Sequence, residues 1–231
     1  MFDFIKIKIK NSRLLGGVYR SLSQKYHDCK KSHAVKRIQK KGCELVKFIT
    51  SFASKNNYDI FFDMGTLLGI VRENSFIKHD LDVDVGLFCD SEKTKNEIIK
   101  SLKKEGAKLK YVFEMGGSTI VESSFTYKGI KFDINFYNND GSDSVCYLMF
   151  RDPERRYENN EFDIVELRCN KIKPVQNVIF CNCIVQVPDN PKAYLSERYG
   201  PNWMIPDKNY IYWKGPTARW LKNVKGKRIV F

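Results

Sequence analysis

The chain has 231 residues, 42% of them hydrophobic and 29% charged, with a net charge of +13. That length suits one full core with insertions rather than two independent domains. No apolar run approaches the length of a membrane span and no secretory leader pattern opens the sequence, which leaves a non-spanning, cytoplasmic protein as the expectation.

The N-terminal stretch Phe4–Lys10 alternates Ile and Lys and reads as a short strand or a frayed start. From Ser12 to Tyr26, Leu14, Leu15, Val18, Tyr19 and Leu22 fall at helical spacing among basic residues, predicting an amphipathic basic helix. Ser32–Ser54 carries Val35, Ile38, Leu45, Val46, Ile49 and Phe52 at the same period and predicts a helix packed under a sheet. Ser91–Glu105, opened by a Ser-x-x-Thr cap, reads as a Lys-rich surface helix. Tyr111–Phe113, Thr119–Thr126 and Ile130–Phe136 read as strands joined by Gly116-Gly117 and Tyr127-Lys128-Gly129 turns. Strand and helix patterns together predict an α+β fold.

Charge is unevenly placed. Residues 1–41 hold 12 basic and 2 acidic side chains, residues 208–231 hold 7 basic and none acidic, and the stretch between is mildly acidic. Basic ends suit nucleic acid or an anionic membrane surface. The basic clusters are poor in interleaved aromatics, however, so no nucleic-acid partner is expected. Seven cysteines without paired spacing predict reduced thiols. Cys169, Cys181 and Cys183 make poor zinc spacing and read as small buried hydrophobes.

The chemistry concentrates between Asp59 and Phe88. The apolar Ile60-Phe61-Phe62 leads into a turn at Gly65-Thr66 and a short helical piece ending at Arg72. Asp80-Leu81-Asp82-Val83-Asp84-Val85 then alternates carboxylates with aliphatics, so that on a strand Asp80, Asp82 and Asp84 share one face. Carboxylates that close repel unless a cation lies between them. Two of them on one strand beside a small-residue turn suit a magnesium-dependent phosphoryl or nucleotidyl transferase. A solvated acidic edge strand is the plain alternative. In Lys131-Phe132-Asp133-Ile134-Asn135-Phe136, Asp133 is the lone carboxylate on an otherwise apolar strand, with Asn135 on its face.

Gly65-Thr66-Leu67-Leu68-Gly69, Arg72, Phe76-Ile77 and Asp80–Asp84 resemble the signature of the LicD/fukutin family. A second stretch, Ala193-Tyr194-Leu195 through Tyr199-Gly200-Pro201-Asn202-Trp203 and Pro206, is similar to that family's C-terminal Y-L-x-x-x-Y-G-x-x-W-x-x-P segment. Lys78 and His79 stand where many members have Pro and Trp, Leu81 where they have the middle Asp, and Glu73 where a His is frequent. The resemblance implies a polymerase-beta-like nucleotidyltransferase fold, a mixed sheet flanked by helices, over residues 32–213. A basic amphipathic segment (1–31) precedes it and a basic tail (214–231) follows. It implies a phosphotransferase that moves a phospho-alcohol such as phosphocholine, ribitol phosphate or glycerol phosphate from a CDP-linked donor to a glycan or lipid-linked glycan, releasing CMP. Transfer of a nucleotide is the alternative. Asp82, Asp84 and Asp133 would be the catalytic, Mg2+- or Mn2+-holding set, and Gly65, Thr66 and Arg72 would receive the phosphates. Asp63, His79, Tyr199, Trp203 and Trp213 are the candidate substrate pocket, the aromatics reading equally as base-stacking or core residues. The expected place of action is the inner face of the cytoplasmic membrane.

Overall fold

A computed structural model describes residues 16–158, 160–170, 172 and 175–231. Four helices and ten strands follow in chain order: α1 (Gly16–Asn56), β1 (Ile60–Phe62), α2 (Met64–Glu73), β2 (Asp82–Phe88), α3 (Glu92–Lys104), β3 (Lys108–Met115), β4 (Thr119–Tyr127), β5 (Ile130–Asp140), β6 (Asp143–Phe150), β7 (Glu161–Asn170), β8 (Val175–Phe180), β9 (Cys183–Pro188), α4 (Pro191–Tyr199) and β10 (Ala218–Val230). The α+β class is as expected.

All ten strands join one mixed sheet in the order β4-β3-β10-β7-β6-β5-β2-β1-β9-β8. Because β4 also pairs with β5, strands β3, β4, β5, β6, β7 and β10 close into a ring, leaving β2, β1, β9 and β8 as a wing. The β2–β5 pair is parallel and sets Asp82 against Lys131, Asp84 against Asp133, and Gly86 against Asn135. Period-2 alternation then divides the faces. Val83, Val85, Leu87, Phe132, Ile134 and Phe136 enter the main core, which α1 covers with Ile38, Leu45, Val46, Ile49 and Phe52. The polar partners of these strands face the other way. At Gly86 that opposite face is crowded: a Cβ would stand 2.2 Å from the ring of Phe61 on β1.

Three expectations change. The two predicted N-terminal helices are one, α1, so the boundary placed at residue 31 falls within a helix. No Gly or Pro lies between Val18 and Lys41 to break it. Leu22 and Tyr26 on it are exposed, while the strand predicted at Phe4–Lys10 and residues Leu14 and Leu15 lie outside the described residues. Second, the basic C-terminal stretch is not a tail. It supplies β10, paired to both β3 and β7, where Lys225 meets Asp163 at 2.7 Å and Arg219 meets Glu166 at 3.1 Å. Third, Cys43 on α1 and Cys181 at the β8–β9 turn form a disulfide, so the cysteines are not all reduced thiols, and Cys181 is unavailable to zinc. Among the described residues no helix is long and apolar enough to cross a membrane.

Candidate active site

The polar face of β2, β5 and β4 floors a cleft of about 1100 Å³. Across the three strands the register lines up Asp84, Asp133 and Ser124 in one row and Gly86, Asn135 and Glu122 in the next. Asp82, Asp84, Asp133, Asn135 and Glu122 all line the cleft. Asp80 lines it as well, but from the segment before β2 rather than from the strand.

These carboxylates sit close together, Asp133 and Glu122 buried and Asp80, Asp82 and Asp84 half-buried. Burial, reinforced by Asp82 and Asp133, pushes the Asp84 carboxyl well above the usual carboxylate range. Burial pushes Asp80 up to about 7, with Asp82 adding to it. Asp133 is raised by burial against the opposing pull of Lys131. Glu122 is raised well above its ordinary value by burial and then by Asp133. Lys131 answers part of this charge. Its Nζ lies 2.7 Å from Asp82 Oδ2 and 2.5 Å from Asp133 Oδ2. Asp133 Oδ1 and Asp80 Oδ2 are buried without a hydrogen-bond partner.

Helix α2 closes the cleft beside Asp80. At Gly65 an added Cβ would meet the Asp80 carboxylate at 3.5–3.8 Å, so this turn of helix lies directly against the acidic row. Arg72, at the far end of α2, lines the cleft; its Nη2 reaches Ile205 O at 3.4 Å and its Nε is buried without a partner. His79, Tyr199 and Trp203 also line the cleft, with Tyr199 and Tyr210 in ring contact at 5.0 Å.

Three expected residues do other work. Thr66 does not face the cleft; its Oγ1 accepts the Asp84 backbone N–H at 2.9 Å while the Asp63 N–H donates to Asp84 O at 3.1 Å. The Asp63–Thr66 segment thus grips the backbone of Asp84 from both sides. The Asp63 side chain is wholly buried, accepting Tyr137 Oη–H at 2.5 Å and Tyr194 Oη–H at 2.7 Å. Arg198, one turn of α4 beyond Tyr194, donates to both phenol oxygens. Trp213 is away from the cleft, stacked on Phe150 with ring centroids 5.1 Å apart.

Lys131, Glu122 and Tyr111 line the cleft without having been singled out from sequence. Glu122 carried a signal like that of Asp133, a carboxylate within a mostly uncharged strand. Lys131 carried none, because only the register shows that it stands between two acids.

The fold and site define an α+β protein whose sheet presents buried and half-buried carboxylates to a large cleft. Residues 57–190, more than half of the chain, match the family model described as LicD/FKTN/FKRP, nucleotidyltransferase domain, and the chain belongs to this family. It is 24% identical over 200 residues to the human ribitol-5-phosphate transferase FKTN, covering 85% of this chain and 40% of that protein. It is 25% identical over 162 residues to an uncharacterized protein of Rickettsia typhi, covering 69% of this chain and 45% of that one. The chain therefore spans less than half the length of either relative.

Proposed function

We propose that this protein transfers a phospho-alcohol from a CDP-activated donor to a hydroxyl of a glycan, with release of CMP. The observation that carries the reading is the register of β2 and β5, which sets Asp84 against Asp133 beside Asp82 at the floor of the cleft. The donor set fits a hard divalent cation: the ligands are all carboxylate oxygens, they raise one another's proton affinity, and one buried oxygen of Asp133 has no partner. Among the described residues no three candidate ligands are yet gathered closely enough to hold a metal. Asp82, Asp84 and Asp133 would hold Mg2+ or Mn2+, which would neutralise charge developing on the phosphoryl oxygens.

The chain's own groups do the rest. Asp133 accepts the proton of the incoming hydroxyl as its oxygen bonds to the phosphorus next to the alcohol and the bond to CMP breaks. The first turn of α2, which contains Gly65, would present its backbone amides and dipole to the phosphates. Arg72, with an unpartnered Nε, forks onto a phosphate oxygen. Tyr199 and Trp203 flank the cytosine or the alcohol.

The test is product analysis with a panel of CDP-alcohols and Mg2+. Asp82→Asn and Asp84→Asn should each lower turnover by at least about a hundredfold with unchanged circular dichroism, since metal-borne stabilisation is worth several kcal/mol. Turnover above about a tenth of wild type in either variant would show that the carboxylates do not hold the reacting metal. Nucleotide transfer is the second reading, in keeping with a family whose domain is described as a nucleotidyltransferase; with the same donors it would leave CMP on the acceptor and release the phospho-alcohol, and that product pattern would establish it. The acceptor is proposed to be presented at an anionic membrane surface, which the exposed Lys25, Lys30 and Lys31 of α1 would meet. Loss of sedimentation with anionic liposomes on deleting residues 1–31 is the expected result, and unchanged sedimentation would sink it.

A further inference from the structure

The cation that the carboxylates lack is partly supplied by the chain itself. Lys131 Nζ lies between Asp82 and Asp133, at 2.7 Å and 2.5 Å. The bridge is lopsided: the Asp133 side chain is 8% exposed, whereas Lys131 and Asp82 are 32% and 30% exposed. The ammonium therefore reaches inward from the rim of the cleft on a flexible stem. It also leaves the site unbalanced, since Asp133 Oδ1 and Asp80 Oδ2 stay buried without partners and Asp84 stands directly beside Asp133. One lysine among five carboxylates, Asp80, Asp82, Asp84, Glu122 and Asp133, holds the place of a stronger cation without matching it. Its Nζ lies 5.7 Å from the centroid of the Tyr111 ring, which also lines the cleft and offers a departing ammonium an aromatic face.

We propose that Lys131 is a tethered counter-ion that a divalent cation displaces, after which its ammonium turns into the cleft and contacts the phosphates of the donor. The inference rests on the metal-dependent transfer proposed above. Displacement couples the two substrates of the site, because the charge that a metal frees is the charge that a pyrophosphate needs. A competitor seated nine-tenths of the time weakens apparent metal affinity about tenfold, and removing it restores that factor.

The experiment measures Mn2+ binding by electron paramagnetic resonance, without nucleotide, for wild type, Lys131→Met and Lys131→Gln. It then measures CDP binding by calorimetry at saturating Mn2+. Both variants should bind Mn2+ about tenfold more tightly and CDP several-fold more weakly than wild type. Lys131→Gln keeps a hydrogen-bond donor toward Asp133 and serves if the Met variant does not fold. Unchanged or weaker Mn2+ binding in a folded variant overturns the inference and leaves the metal site standing. Tighter Mn2+ binding with unchanged CDP affinity also overturns it, because the lysine would then be only a repelling neighbour. No Mn2+ binding by wild type removes both this inference and the metal-dependent reading.

Discussion

Replacing Asp63 by Asn keeps the side chain's volume and removes one charge from a place that water does not reach. Asp63 is fully buried and Arg198 is 3% exposed. Carboxylate and guanidinium are joined through Tyr137 and Tyr194, whose hydroxyls donate to Asp63 and accept from Arg198. The Asn variant would leave the guanidinium buried without its anion and would set an amide donor against a phenol that is itself donating. Breaking a buried pair from one side costs about 3–5 kcal/mol. For 231 residues the entropy of unfolding is about 0.5 kcal/mol per kelvin, so Tm should fall by about 6–10 °C. Tyr194→Phe removes a hydroxyl but no charge, and should cost only about 1–3 kcal/mol, or about 2–6 °C. Scanning calorimetry at neutral pH and low salt reads both. If Asp63→Asn unfolds within 2 °C of wild type, or if Tyr194→Phe is the more damaging of the two, Asp63 is not the anion that balances Arg198.

Asp80, pushed up to about 7 by burial and Asp82, holds its proton far more tightly when folded than the ~4 of an unfolded carboxyl. Its contribution to stability is therefore full below about pH 4 and is lost as pH rises through 7. In metal-free buffer Asp80→Asn should unfold at a higher temperature than wild type at pH 8 and at nearly the same temperature at pH 4; parallel curves across that range would refute the assignment. Cys43 and Cys181 close a loop across 138 residues of sequence, so Cys43→Ser should cost about 2–5 kcal/mol. Dithiothreitol should bring wild type to the same Tm, and an unchanged wild-type Tm on reduction would show that the bridge contributes nothing.

What could be read from the sequence was whatever depends on local period. Asp82 and Asp84 were singled out because alternation on a strand assigns faces without knowledge of its neighbours, and Asp133 because it stands alone among apolar strand residues at a position that resembles the family's third acid. The helix over Ser32–Ser54 was found in the same way, and its fusion with the preceding segment needed only the absence of a breaker. Partners distant in sequence leave no such trace. Lys131 looked like any strand lysine until the parallel register set it against Asp82. The β10 residues looked like a solvated basic tail because their counter-charges, Glu161, Asp163 and Glu166, lie on β7. The Cys43–Cys181 bridge links residues whose spacing suggested no pairing.

The second family-like segment shows how distant positions come to act on one site. Tyr194 and Arg198 are four residues apart on α4, so they share a helix face, and that face reaches Asp63. Tyr199 is one residue further round the helix and lines the cleft instead, with Trp203 following beyond Gly200, whose φ of 89° ends the helix. One face of the segment braces the turn that grips Asp84, and the adjoining face walls the cleft into which Asp84 points. The two family-like stretches, Gly65–Asp84 and Tyr194–Trp203, are therefore halves of one device rather than two separate sites. Damage to the Asp63–Arg198 brace should be felt at Asp84 even though neither of the two residues lines the cleft, because the Asp84 N–H and C=O are both bonded to the Asp63–Thr66 turn.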